Sequence, residues 1–155
     1  MKKIIALSAI AALLTVSSAG QSVRRALFIG NSYVFVNNLP QITADIARSA
    51  GDSLFFNISA PGGYTLRQHS EDNNTLGKIR SGYWDFVVLQ EQSLLTAFPD
   101  DSVKQEVVPY VHFLDSVIHV YNRHCKTMFY MTWGRKDGDS EDCQWCPPIC
   151  TYAGM

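Results

Sequence analysis

The sequence predicts an α/β protein in which helices cover both faces of a mainly parallel sheet, a three-layer α/β/α sandwich. The alternation of two kinds of segment carries this prediction, and the length and composition indicate a single domain. Short apolar runs alternate along the chain with stretches whose apolar residues recur at helical spacing. Because parallel strands need long crossovers, this alternation indicates a sheet with a helix between successive strands. The 155 residues, 46% of them hydrophobic, suffice for one domain with a core.

The individual elements follow from apolar spacing and from glycine and proline punctuation. Strands are predicted at 25–29, 53–60, 84–90 and 126–132, and helices at 39–50, about 74–81 and 101–121. Pro40 suits the first turn of the first helix, and Gly51 ends it. Residues 133–155 show no periodicity. Sites in open parallel sheets form beyond the carboxyl ends of the strands, so the loops after residues 29, 60, 90 and 132 are the ones to inspect.

The N-terminus has the order of a secretory signal peptide. Lys2 and Lys3 precede an apolar stretch over 4–16, and small residues follow at 17–20. We therefore expect a signal peptide at 1–20, a mature domain at 21–155 and a periplasmic or secreted protein, with an uncleaved anchor as the alternative. The apolar stretch is shorter than the roughly 20 residues that span a bilayer, so stable membrane insertion is not expected. A net charge of -1 gives no indication of a nucleic-acid partner.

Export changes how the four cysteines are interpreted, because an oxidising compartment allows disulfides. The candidates are Cys125, Cys143, Cys146 and Cys150. A structural disulfide is the favoured interpretation; a redox pair in the Cys-x-x-Cys motif, free thiols and metal binding are alternatives. No second ligand pair at zinc spacing follows, so no metal is expected. Four cysteines allow three pairings, and the sequence does not choose among them.

Three predicted strand ends carry residues that could do chemistry. Gly-Asn-Ser at 30–32 follows the first strand, a glycine pair within 60–66 follows the second, and Leu-Gln-Glu-Gln-Ser at 89–93 follows the third. A serine at a tight strand-to-helix turn is lifted out of the sheet, and adjacent glycines let backbone N–H groups approach a ligand. Each segment alone also fits a helix cap, an ordinary turn or a solvated loop.

Together these segments resemble the SGNH (GDSL-like) hydrolase superfamily. Leu-Phe-Ile-Gly-Asn-Ser at 27–32 matches its first block, Gly63 falls at its second, and 90–93 stands where Gly-x-Asn-Asp is usual. With 131–135, the pattern is similar to an uncharacterised, secreted SGNH-like branch from gut bacteria. The resemblance covers roughly residues 26–155 and implies a flavodoxin-like sandwich.

The resemblance also implies a mechanism. Ser32 would attack an ester carbonyl, and the oxyanion would be held by the backbone N–H groups of Ser32 and Gly63 and by the Gln92 side chain. Gln92 replaces the usual asparagine with a stem one carbon longer. The implied substrate is a small-molecule or glycan ester, and no cofactor is implied.

The general base of this superfamily lies in an Asp-x-x-His motif near the C-terminus, and none of the four histidines stands in such a motif. Asp115 and His119 are i and i+4 on a predicted helix, which favours a helix-surface pair. For His69 we favour a structural or substrate-contact role. His112 and His124 have no acidic partner at that spacing.

Two explanations account for the missing base. The favoured one is a chain truncated before its final strand and helix; the other is a degenerate relative that no longer catalyses. We therefore expect an exposed sheet edge, poor stability and weak or absent esterase activity. A non-catalytic secreted binding module and a thiol–disulfide protein using Cys143 and Cys146 remain as alternative functions.

Overall fold

The computed structural model describes residues 23–151, which form a four-stranded, all-parallel sheet flanked by helices. The strands are β1 (Val23–Ile29), β2 (Ser53–Ser59), β3 (Phe86–Leu89) and β4 (Lys126–Phe129), in the order β2-β1-β3-β4. This arrangement confirms the predicted α/β/α class with a parallel sheet, and it is the flavodoxin-like strand order. The predicted signal peptide lies outside the described residues.

Six α-helices connect or follow these strands within residues 23–151. They are α1 (Ser32–Phe35), α2 (Leu39–Ser49), α3 (Leu66–Glu71), α4 (Asn73–Ser81), α5 (Asp100–Glu106) and α6 (Val108–Tyr121). Helix α3 was not predicted, because its segment is polar and short. Thr65 and Gln68 nevertheless form a capping box that starts it.

The prediction of one continuous helix over 101–121 is wrong. The backbone breaks at Val107, between α5 and α6. Pro109 explains the break, because it has no N–H to donate to the carbonyl of Gln105 and its ring would clash there. Proline is instead accommodated in the first turn of α6.

The core lies on both sides of β1, whose side chains alternate between the two faces of the sheet. Leu27 and Ile29 are buried against a cluster built from α3, α4 and α6. Ala26 and Phe28 point to the other face, where helix α2 packs on β2. Full burial of each large aliphatic side chain contributes about 1.5–3 kcal/mol, so this central strand supports both layers.

The strand order places a topological switch point between β1 and β3. The crossover after β1 leads to β2 on one side, whereas the chain then returns to β3 on the other side of β1. In open α/β sheets ligands bind beyond the carboxyl ends of the strands at such a point, so the loops that leave β1 and β3 are where a site is expected. Gly30 and Gln90 begin these two loops.

The β4 edge exposes apolar surface. Phe129 is 64% exposed, and Met128 and Met131 are exposed beside it. A groove of about 410 Å³ runs along this side of the sheet next to α2, lined almost wholly by apolar side chains. Within residues 23–151, no helix is long and apolar enough to cross a membrane.

We expect this edge to drive self-association, because an exposed apolar edge strand offers unpaired backbone groups. Phe129→Lys should lower the apparent mass seen by light scattering at raised protein concentration. Its control is Phe55→Lys, which removes a 51%-exposed ring from β2 at the other edge. A stronger effect of the β2 substitution would show that the β4 edge is not the contact surface.

Candidate active site

The turn after β1 sets the position of Ser32. Ser32 is the first residue of α1, and Asn31 caps that helix by accepting a hydrogen bond from Tyr33 N at 3.2 Å. Asparagine is among the best N-cap residues, so the Gly-Asn-Ser sequence itself accounts for the turn. Ser32 is partly exposed, whereas Asn31 is buried beneath it.

Asn31 also joins this turn to the other two strand-end loops. Its backbone N–H donates to Gln90 Oε1 at 2.8 Å, and its side-chain amide donates to the Tyr64 carbonyl at 2.9 Å. A third link closes the set, since Leu66 N donates to Glu91 Oε1 at 3.1 Å. Hydrogen bonds therefore join each pair of the loops that follow β1, β2 and β3, at the carboxyl ends of these strands.

Gly63 lies in the turn that Asn31 holds. Tyr64 N donates to the Pro61 carbonyl at 3.3 Å, which closes a four-residue turn. Gly63 has φ +73°, in the left-handed region where glycine carries no steric cost. The Gly63 N–H takes part in none of the hydrogen bonds of this turn. A backbone donor must be free in this way if it is to bind an anion.

The third loop contains two glutamines with different roles. Gln92, the sequence-predicted oxyanion donor, uses its Oε1 to accept from Leu94 N at 2.7 Å and Leu95 N at 3.2 Å. Gln90 is fully buried, and it is the glutamine that bonds the serine turn. Its side-chain amide donates to the Glu91 carbonyl. Oxyanion binding by Gln92 stays a prediction, since only its Nε2 is left to donate.

Glu91 is a buried carboxylate beside this turn. It accepts hydrogen bonds from Leu66 N at 3.1 Å and from Gln92 N at 2.6 Å. Burial raises the pKa of its carboxyl above the usual range, while the two backbone donors act in the opposite direction. Glu91 therefore joins the start of α3 to the third loop, and its oxygens are engaged in that structural role.

His69 lies beneath the serine turn and is fully buried. Its Nε2 is 2.8 Å from the Gly30 carbonyl, and its Nδ1 is 2.9 Å from Thr75 Oγ1. A carbonyl only accepts, so Nε2 carries the hydrogen. Burial lowers the pKa of His69, which favours the neutral ring. Both nitrogens are thus engaged in positioning the turn.

The Thr75 hydroxyl lies between His69 and a carboxylate. Thr75 Oγ1 is 2.7 Å from Asp72 Oδ2 and 2.8 Å from Ser59 Oγ. Thr75 donates its one hydroxyl hydrogen to Asp72 Oδ2, so that hydrogen is not available to His69 Nδ1. Hydrogen bonding from Thr75 lowers the pKa of the Asp72 carboxyl, so Asp72 is ready to accept.

The remaining histidine contacts do not reach Ser32. His119 Nδ1 lies 3.2 Å from Asp115 Oδ1, as expected for a pair on one helix, and its Nε2 is 3.1 Å from the Cys125 carbonyl. Thr127 of β4 donates to the same carboxylate at 2.6 Å. In the part of the chain that the structure describes, no hydrogen bond joins the Ser32 hydroxyl to a histidine.

An aromatic cleft beside Ser32 was not predicted. It has a volume of about 190 Å³ and is lined by Ser32, Tyr33, Val36, Asn37 and Trp133. The rings of Tyr33 and Trp133 are 4.9 Å apart at 58°. Trp133 comes from the segment after β4, so the fourth strand end also reaches the site. The sequence signal that could have pointed to this cleft was a tryptophan directly after the predicted strand 126–132.

A disulfide forms in the segment after β4, between two of the four candidate cysteines. Cys143 and Cys150 are joined by a disulfide, and Cys125 and Cys146 are buried free thiols. The Cys-x-x-Cys pair is thus not the one that is bonded. Burial raises the pKa of the Cys125 thiol to about 11. Within residues 23–151, no group of three metal-ligating side chains could hold an ion.

The comparisons with known proteins bear on the fold. The sequence matches no family model and no curated protein. A crystal structure of a DUF4886 family protein from Bacteroides uniformis is similar, with a TM-score of 0.67 and 16% sequence identity. The match covers 86% of this chain and 59% of the Bacteroides chain. At this identity the likeness establishes a shared fold.

The close packing of Gly30 gives a stability prediction. A Cβ at Gly30 would lie 2.5 Å from Gln90 Oε1 and 2.8 Å from Val34 Cγ2. Gly30→Ala should therefore lower the free energy of unfolding by about 1–3 kcal/mol, as overpacking does. The control is Gly77→Ala in α4, where the added methyl meets nothing. Chemical denaturation of both variants measures the difference, and an unperturbed Gly30→Ala would contradict the packing.

The buried His69 predicts a pH dependence of stability. The pKa of its ring is lower in the folded chain than in the unfolded one, so below about pH 6.5 the unfolded chain binds more protons. Stability should thus fall with acidification until the lowered pKa is passed. Glu91 has the opposite effect on stability. Because the pKa of its carboxyl is raised in the folded chain, the free energy of unfolding falls as the pH rises above the ordinary pKa of glutamate.

His69→Gln should reduce the loss of Tm between pH 7.5 and 5.5, because the neutral amide can keep both hydrogen bonds without titrating. His124→Gln, at an exposed position, is the control. Equal losses of Tm in both variants would show that His69 does not contribute to the acid sensitivity.

Proposed function

We propose that the protein is a serine ester hydrolase of the SGNH type, with Ser32 as the nucleophile that attacks small acyl esters. The observation that carries the proposal is the junction of three strand-end loops at Asn31. A partly exposed hydroxyl at this junction has loops of backbone donors around it and a cleft beside it. Gly63, one of the proposed oxyanion donors, stands next to Tyr64, whose carbonyl Asn31 binds.

The proposed chemistry is acyl transfer through a tetrahedral intermediate. Ser32 Oγ bonds to the ester carbon, the carbonyl π electrons move to oxygen, and the hydroxyl proton passes to a base. On collapse the bond to the alcohol oxygen breaks and the base returns the proton to that oxygen, and water then attacks the acyl-serine by the same route to release the acid. Donors from Ser32 N, Gly63 N and Gln92 Nε2 would hold the oxyanion, each contributing about 10²- to 10³-fold in rate.

Neither of the histidines with hydrogen-bond partners in residues 23–151 is placed to take the proton from Ser32. His69 is occupied with Gly30 and Thr75, and His119 with Asp115 and Cys125. A positioned base typically contributes about 10²- to 10⁴-fold. We therefore infer that this chain by itself hydrolyses esters slowly.

Two further parts of the proposal rest on the sequence. The resemblance suggests acetylated glycans among the substrates, and the N-terminal pattern suggests a periplasmic or secreted location. A disulfide between Cys143 and Cys150 fits such an oxidising compartment.

Added imidazole should raise the rate of ester hydrolysis if Ser32 is the nucleophile. The 155-residue chain should hydrolyse p-nitrophenyl acetate weakly, and imidazole in the buffer should raise the protein-dependent rate about tenfold by acting as an external base. Ser32→Ala should show neither the basal nor the imidazole-dependent rate. Release of p-nitrophenolate above a protein-free imidazole blank is the measurement.

The matched control is Ser140→Ala, an exposed serine in the segment after β4. It should keep the full rate and should label with a fluorophosphonate probe, whereas Ser32→Ala should not label. Hydrolysis that survives in Ser32→Ala would exclude Ser32 as the nucleophile. Fast hydrolysis without imidazole, lost in that variant, would mean that a base is already in place.

A non-catalytic binding module is the second candidate. It is favoured by one observation, that the Ser32 hydroxyl is bonded to no histidine in the part of the chain described. Failure of Ser32 to label even with imidazole present would favour this function over hydrolysis.

A further inference from the structure

The cleft beside Ser32 has features that the proposed chemistry does not require. Trp133 is 57% exposed, although a large indole normally gains from burial. It stands against Tyr33, with ring centroids 4.9 Å apart and planes tilted by 58°, so the two rings form an angled apolar wall. Ser32 and Asn37 line the same cleft.

The size and charge of the cleft restrict what it can bind. Its volume of about 190 Å³ is below the roughly 300–1,000 Å³ of pockets that enclose drug-sized ligands. One six-membered ring is therefore the size of group it suits. None of its five lining residues is an acid or a base of the Asp, Glu, Lys or Arg type. A phosphorylated or otherwise charged group would find no counter-charge there.

The chemistry of the lining indicates which neutral ring fits. An exposed aromatic face suits a surface of C–H groups, and hydroxyl and amide groups at the rim suit a ligand with hydroxyls at its edge. A pyranose has both, with apolar C–H faces and hydroxyls around its perimeter. A cyclohexane ring lacks the hydroxyls, and a phenyl ring would leave the polar groups of Ser32, Tyr33 and Asn37 without partners.

We infer that Trp133 and Tyr33 form a subsite for a neutral pyranose ring, which would be the alcohol part of the ester cleaved at Ser32. The role of the ring as leaving alcohol rests on the proposed function; its binding in the cleft does not. Trp133 is assigned as a specificity-determining residue.

Three acetates that differ only in their ring provide the test. They are a methyl glucopyranoside acetylated on its exocyclic hydroxymethyl group, cyclohexylmethyl acetate and benzyl acetate. Each is titrated into full-length Ser32→Ala protein, in which hydrolysis is blocked, carrying nitrogen-15 tryptophan. The three indole signals act as separate reporters, because Trp84 is buried with its N–H bonded to the Lys78 carbonyl and Trp145 is 81% exposed outside the cleft.

The sugar ester should shift the Trp133 signal alone and bind more tightly than either comparison acetate. Trp133→Ala should weaken its binding about tenfold, whereas Trp145→Ala should leave it unchanged. Tighter binding of benzyl acetate, or no shift at Trp133, would overturn the inference. Because the shift is measured before any substitution at Trp133, a folding defect in that variant does not remove the test.

Failure of the inference and failure of the proposed function give different results. If fluorophosphonate labels Ser32 while the sugar ester leaves Trp133 unshifted, the hydrolase stands and the pyranose subsite is excluded. If the sugar ester shifts Trp133 while Ser32 never labels, the subsite stands and the hydrolase is excluded.

Discussion

The hydrogen bonds of Asn31 are the constraint on which the candidate site depends. This one buried residue caps α1 through its side-chain oxygen, binds the second loop through its amide and binds Gln90 through its backbone. A buried polar group left without a partner costs about 1–3 kcal/mol, so each of these bonds resists local opening. The three loops therefore hold a common geometry although they are far apart in sequence.

Polar side chains continue beneath this junction, where a parallel sheet would ordinarily be apolar. His69, Thr75 and Ser59 are buried in one hydrogen-bonded chain that ends on the Gly30 carbonyl. Such a network is stabilising only while every member is satisfied. It links the serine turn to the helices beneath it, because His69 contacts the Gly30 carbonyl through Nε2 and the Thr75 hydroxyl of α4 through Nδ1.

The two faces of the sheet differ in how completely they are covered. Three helices bury the face that carries Leu27 and Ile29, whereas α2 leaves a long apolar groove beside β4 on the other face. Apolar surface of this kind weakens the net stability of a small domain, because less area is removed from water than the fold would allow. The structure thus has a hydrogen-bonded site at the carboxyl ends of the strands and an exposed apolar surface at the β4 edge.

The four strands, most of the helices and the Gly-Asn-Ser turn were predicted from the sequence, because apolar periodicity, N-cap preference and glycine placement depend on near neighbours along the chain. The break at Val107 was also open to prediction, because Pro109 lacks the N–H that a continuous helix needs. The sequence did not choose the pairing of Cys143 with Cys150, because residues so close in a loop without periodicity can be paired in more than one way. Nor did it show that Gln90 bonds Asn31 or that Trp133 meets Tyr33, because these residues are separated by several strands and helices and only the packing of the sheet brings them within contact distance.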